Sequence, residues 1–131
     1  MSQKVRPFLL FSGQAEEAMN YYVSLLPAAQ ILAVTRYGKD EPGAQGSIKN
    51  ALVCIGGHTL LCTDSIVQHN FTFTSALSLQ VRCDSQEEIR RLATALSEGG
   101  SVFMPLGDYG FSQQFAWVSD CFGVSWQLNL E

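Results

Sequence analysis

Two histidines, a charged fraction of 15% and four isolated cysteines are what this 131-residue chain has little of. No Cys-x-x-Cys spacing occurs among Cys54, Cys62, Cys83 and Cys121, which excludes a redox dithiol and a thiolate zinc site. Reduced and mostly buried thiols are expected instead. No glycine-rich turn stands between a strand and a helix, so the usual phosphate cradle of a nucleotide cofactor is missing. The N-terminal stretch MSQKVRPFLLF carries only a four-residue apolar run, far short of a signal or a membrane span. The expectation is a cytoplasmic protein with no membrane partner. Eight basic residues stand against twelve acidic ones and are scattered, Arg90 and Arg91 alone being adjacent, which argues against a nucleic-acid partner.

What the chain does have is apolar content, 47% of its residues, enough for one ordinary domain to bury a core. Val5 to Phe11 reads as a strand. The helix that follows places Ala18, Tyr21, Tyr22 and Leu25 at helical spacing, with Ser12 or Gly13 as its cap and Pro27 as its stop. Gln30 to Tyr37, Ser47 to Ile55 and His58 to Thr63 read as strands, the last two joined at Gly56-Gly57. After a polar connector at 65–75 the order returns. Leu77 to Cys83 is a strand, DSQEEIRRLATALSEGG a helix with Ile89, Leu92 and Leu96 on one face, and Ser101 to Met104, Phe115 to Ser119 and Ser125 to Leu130 are strands.

The two halves overlay at a constant shift of 71 residues, SGQAEEA at 12–18 on CDSQEEI at 83–89. A single domain, 1–131, built from two pseudo-repeated modules at about 1–66 and 75–131, is the reading that follows. Its last strand alternates strictly. Ser125, Gln127 and Asn129 face one way, and Trp126, Leu128 and Leu130 the other.

Two βαβββ modules, the opening F-L-x-F-x-G-x-A-E-E-A-x-x-Y-Y and the closing A-W-V-x-D-x-F-G-V-x-W-Q-L together resemble the vicinal oxygen chelate, or glyoxalase-like, superfamily. Within it they resemble the PhnB-like branch, which carries a demethylubiquinone methyltransferase-like label. The resemblance spans essentially the full chain. It implies an α+β fold whose curved mixed sheets form an open, barrel-like cup with helices outside, ligands inside the cup and a homodimer. Metal-using members take one ligand from each of four strands, and the corresponding places here fall near Pro7, near Leu61 or Cys62, at Ser78 and at Gln127. Only Gln127 is a ligand of the expected kind, so no metal is expected.

By the same resemblance the polar row Ser78, Gln80, Gln127 and Ser125 lines the cup, and the 71-residue shift places Pro7, Leu9 and Phe11 on the opposite wall. The loop Pro105 to Phe115 offers Asp108, Tyr109, Phe111 and Gln113 as a lid hinged at Gly107 and Gly110. Asp64 is a candidate for substrate contact, and Cys62 the least implausible nucleophile; His58 and His69, in a turn and in the connector, are expected to be solvated. The expected ligand-binding set is Pro7, Leu9, Cys62, Asp64, Ser78, Gln80, Tyr109, Phe111, Gln113 and Gln127. The function expected is metal-free and cofactor-free binding of a small molecule by a homodimer. The alternatives are an enzyme of the same superfamily, metal-dependent or working by acid and base through Asp64, Asp108 or Tyr109, and a structural or protein-binding dimer without a ligand.

Overall fold

The computed structural model describes residues 3–131. It divides into two compact units, with the boundary between His69 and Asn70, inside the connector. The first contains β1 (Phe8–Phe11), α1 (Ala15–Leu25), β2 (Gln30–Arg36), β3 (Ile48–Ile55) and β4 (His58–Asp64) in a four-stranded sheet of order β1-β4-β3-β2. The second repeats this as β5 (Leu79–Arg82), α2 (Gln86–Ser97), β6 (Ser101–Gly107), β7 (Gln114–Ser119) and β8 (Ser125–Leu130), in the order β5-β8-β7-β6. In each sheet the first strand pairs parallel to the last, and the remaining pairs are antiparallel. The result is the expected α+β fold of two mixed-sheet modules.

Each helix covers one face of its own sheet. Ala15, Ala18, Met19 and Tyr22 are the buried residues of α1, and Ile89, Leu92 and Leu96 those of α2. The helix starts are built differently. Ser85 caps α2, its hydroxyl accepting the Glu88 amide at 3.1 Å while the Glu88 carboxylate accepts the Asp84 amide at 2.7 Å, a capping box. Neither Ser12 nor Gly13 caps α1. Gln14 occupies that position without a side-chain bond, and the carboxylate of Asp64, at the end of β4, accepts the amides of Gly13 and Ala15 instead. Its other oxygen accepts the amide of Ile48 at 2.9 Å, so one buried aspartate joins a helix start to two strand ends.

In the second unit the DCFGVSW turn does similar work. Asp120 is 2% exposed; its Oδ1 accepts the amides of Phe122 and Val124 and its Oδ2 the indole N–H of Trp126. Gly123, at φ +94°, supplies the left-handed residue that this turn requires. At Gly100 the constraint is space, since a Cβ there would lie 1.9 Å from the Ser119 carbonyl oxygen.

Strand ends differ from expectation. β1 begins at Phe8 rather than Val5, and β5 spans Leu79–Arg82 rather than Leu77 to Cys83. β6 runs on to Gly107, which pairs with Phe115, so the connection to β7 is 108–113 and not the whole of 105–115. Pro105 is tolerated because β6 is an edge strand whose register shifts between Met104 and Gly107.

The repeat also departs from one constant shift. Buried Cys83 answers buried Phe11 from seventy-two residues on, whereas Ile89, Leu92 and Leu96 answer Met19, Tyr22 and Leu26 from seventy on. Leu9 therefore does not correspond to Gln80 in facing. This consequence matters for the site.

Replacing Asp120 by Asn leaves two amides served but sets an amide N–H against the Trp126 indole N–H. Loss of about 2 kcal/mol is expected, read as a lower urea midpoint at unchanged slope. Asp64→Ala strands three amide donors and is expected to lose about 3 kcal/mol or more by the same measurement.

Candidate functional site

The expected site residues fall into three groups. Leu9, Cys62 and Asp64 lie on the face of the first sheet that α1 covers, 7%, 0% and 3% exposed respectively, and Phe11 lies with them. Alternation along β1 and β4 fixes this, because Asp64 bonds the start of α1 and Cys62 and Leu60 share its side of the strand. The open face of that sheet instead carries Phe8, Leu10, Leu61, Thr63 and Leu52. Asp64 has both oxygens engaged and is a structural staple. Burial, with the nearby Asp64 carboxylate adding to it, pushes the Cys62 thiol up to about 12, and burial pushes Cys83 up to about 11. Neither is a nucleophile at neutral pH. Pro7 precedes β1, where its carbonyl accepts the Leu61 amide.

The second group comes together. Trp126 and Leu128 are buried on the side of α2, so Ser78, Gln80 and Arg82 of the β5 segment and Ser125, Gln127 and Asn129 of β8 share the other face of the second sheet. The hydroxyls of Ser78 and Ser125 are 2.6 Å apart, and Ser125 Oγ also accepts the indole N–H of Trp117 at 2.9 Å. One rung further, Gln80 Nε2 donates to Gln127 Oε1 at 3.1 Å. At the third rung Arg82 and Asn129 are partners in register, yet Asn129 Oδ1 is buried with no hydrogen-bond partner.

Across β8 the same face continues on β7 with Ser119, Trp117 and Phe115, opposite Ser125, Gln127 and Asn129. Phe103 packs on Trp117 with ring centroids 5.2 Å apart, and Phe111 on Phe115 at 5.0 Å. Phe111 was expected at the site; Phe103, Trp117 and Phe115 were not. The signal for them was the alternation Phe115-Ala-Trp117-Val-Ser119, which sets two large rings against two small residues destined for the helix side.

Tyr109, Phe111 and Gln113 form the third group. Tyr109 and Phe111 are 42% and 63% exposed and stack near Phe115. The loop that bears them is closed by its own bonds: Tyr109 Oη donates to the Pro105 carbonyl, the Gly110 amide to Asp108, and Gln113 Nε2 to the Glu131 carbonyl. His58 and His69 are both exposed. Under α2 a separate groove of about 210 Å³ is floored by Ala93, Ala116, Val118, Val102 and Leu106. Small apolar side chains dominate it.

Two βαβββ modules, a helix across one face of each mixed sheet and an amide-bearing open face define a glyoxalase-like α+β protein. The model of the 3-demethylubiquinone-9 3-methyltransferase family matches residues 3–129, and the chain belongs to that PhnB-like family. It is 46% identical to the PhnB protein from Bacillus cereus, with 98% of this chain and 100% of that one covered and a TM-score of 0.95. It is 26% identical to Protein YjdN of Escherichia coli (strain K12), over 95% of this chain and 92% of that protein. A glyoxylase/bleomycin resistance protein/dioxygenase domain from a Frankia species is 14% identical, with 99% and 98% of the two chains covered, and shares the fold at a TM-score of 0.67.

The superfamily's divalent ion does not fit the residues at the corresponding places. Pro7 and Leu61 offer no side-chain donor, Cys62 is buried on the side of α1, Ser78 is bonded to Ser125 and Gln127 Oε1 accepts from Gln80. Among the described residues no three His, Cys, Asp or Glu side chains are grouped for an ion. The methyl donor that the family's description implies fits no better, for the start of α1 is closed by Asp64 and that of α2 by Ser85, leaving neither as a phosphate or carboxylate cradle.

The thiols make a direct check. Cys121 is exposed and is expected to react with a disulfide reagent at pH 8 within minutes, while Cys62 and Cys83 react only in denaturant. Fast labelling of Cys62 in the native protein would contradict the placement of β4.

Proposed function

We propose that the protein binds a small, partly apolar molecule on the open face of its second sheet, without a metal. The observation that carries this reading is the organisation of that face. Ser125 is hydrogen-bonded to both Ser78 and Trp117, Gln80 is bonded to Gln127, and aromatic rings flank both groups. A merely solvated face has no need of such order, because water satisfies serines and glutamines without fixing them. A few oriented polar groups beside aromatic surface are what a ligand site requires.

The chemistry available supports binding over turnover. Asp64 and Asp120 are buried and spent on backbone and indole N–H groups, and the Cys62 and Cys83 thiols stay protonated. Among the described residues no helix is long and apolar enough to cross a membrane. A second copy of the chain is the proposed partner. Val102 and Phe103 on the edge strand β6, and Leu32 and Val34 on the edge strand β2, are 41–51% exposed, apolar edges that pairing would cover. Sedimentation at micromolar concentration is expected to report two copies, and a monomer at every concentration would contradict the pairing.

Binding is tested by melting temperature and tryptophan fluorescence against a set of aromatic and heteroaromatic fragments. At least one is expected to raise the melting temperature in proportion to the logarithm of its concentration, by a stabilisation of about 2.7 kcal/mol at a hundredfold excess over Kd, and to quench Trp117 saturably. Gln127→Leu is expected to abolish that rise. No rise with any fragment, or an undiminished rise in Gln127→Leu, would overturn the proposal.

A further inference from the structure

We infer that the third rung of the open face, Arg82 with Asn129, is an anion-and-donor subsite that selects a 2-hydroxy carboxylate with an apolar tail. This rests on the reading that the open face binds ligand, and adds what the ligand is. Three polar rungs cross from β5 to β8, and two are closed by hydrogen bonds between their own members, Ser78 with Ser125 and Gln80 with Gln127. The third is left open. Arg82 and Asn129 stand in register on the same face, no hydrogen bond joins them, and Asn129 Oδ1 is buried without a partner.

A buried acceptor without a donor is uncommon in native proteins and is costly. It calls for a donor brought from outside. The terminal amide torsion of asparagine is broad, so rotation presents Oδ1 to an incoming group at little cost. Its register partner on β5 is Arg82, whose planar guanidinium donors suit a carboxylate. The group that satisfies both neighbours at once accepts from Arg82 and donates to Asn129, which is a carboxylate carrying a hydroxyl on the adjacent carbon.

The rest of the rung sets the tail. Continuing across the sheet, Phe115 lies opposite Asn129 and Gly107 opposite Phe115. Strands lie about 4.8 Å apart, so the apolar end begins roughly 10 Å from β5. There the exposed rings of Phe111 and Tyr109 pack around Phe115, an aromatic surface for a flat or branched tail.

The test uses three probes, 3-phenyllactate, its methyl ester and 3-phenylpropanoate, titrated while the side-chain amides of Gln127 and Asn129 and the Trp117 indole are followed by NMR. Phenyllactate is expected to bind at least tenfold more tightly than either of the other two. Arg82→Gln is expected to erase the preference for acid over ester, and Arg90→Gln, on α2, to leave it intact. Asn129→Leu is expected to erase the preference for the hydroxyl and to raise the melting temperature, since it removes an unsatisfied buried carbonyl. A fall in melting temperature would show the amide to be structural and overturn its role. If acid and ester bind equally with Gln127 and Trp117 shifting, the subsite assignment fails while the ligand face stands; if no probe shifts either group, both fail.

Discussion

The register of β8 is set by one carboxylate. Asp120 holds the amides of Phe122 and Val124 and the indole of Trp126, and its own amide donates to the Val124 carbonyl, so that the turn from β7 admits a single strand pairing. Ser119 then falls opposite Ser125, Trp117 opposite Gln127 and Phe115 opposite Asn129. A slip of one residue would turn Gln127 under α2 and Trp126 out to the open face. The indole bond to Asp120 opposes that slip directly, because Trp126 is 1% exposed and its N–H has a partner only in this pairing. The polar ladder on one side of β8 is thus anchored from the other side.

The first unit uses the same device for another purpose. Asp64 takes the place of a local helix cap and draws together α1, β3 and β4, and in doing so it leaves the pool of groups able to act on a ligand. Its sheet presents Phe8, Leu10, Leu52 and Leu61 on the open face, with Thr63, Asn50 and Thr35 as its polar points. The second sheet presents amides, hydroxyls, one guanidinium and aromatic rings. Two modules of one topology have diverged in what their open faces offer.

Much of this was legible in the sequence, and the limits are physical. Alternation in SWQLNL and the apolar spacing of Ile89, Leu92 and Leu96 placed β8 and α2 with their correct faces, and the polar set Ser78, Gln80, Gln127 followed. Leu9 and Phe11 were misplaced because FLLF is apolar on both sides, so its alternation carries no facing signal, and a shift borrowed from the second module supplied the wrong one. Asp64 read as a candidate for substrate contact, since a carboxylate that will accept three N–H groups from other segments looks no different in sequence from a catalytic one. The extension of β6 through Pro105 was hidden by the proline, which only an edge strand tolerates.

The most direct test of the ligand face is a fragment screen read by NMR on the wild-type protein, mapping every shift without prior choice of site. The account predicts that the fragments that bind move the side-chain amides of Gln80 and Gln127 together with the Trp117 indole, and leave the Trp126 indole on the helix side unmoved. Shifts clustered at the groove under α2, or confined to the first sheet, would contradict it.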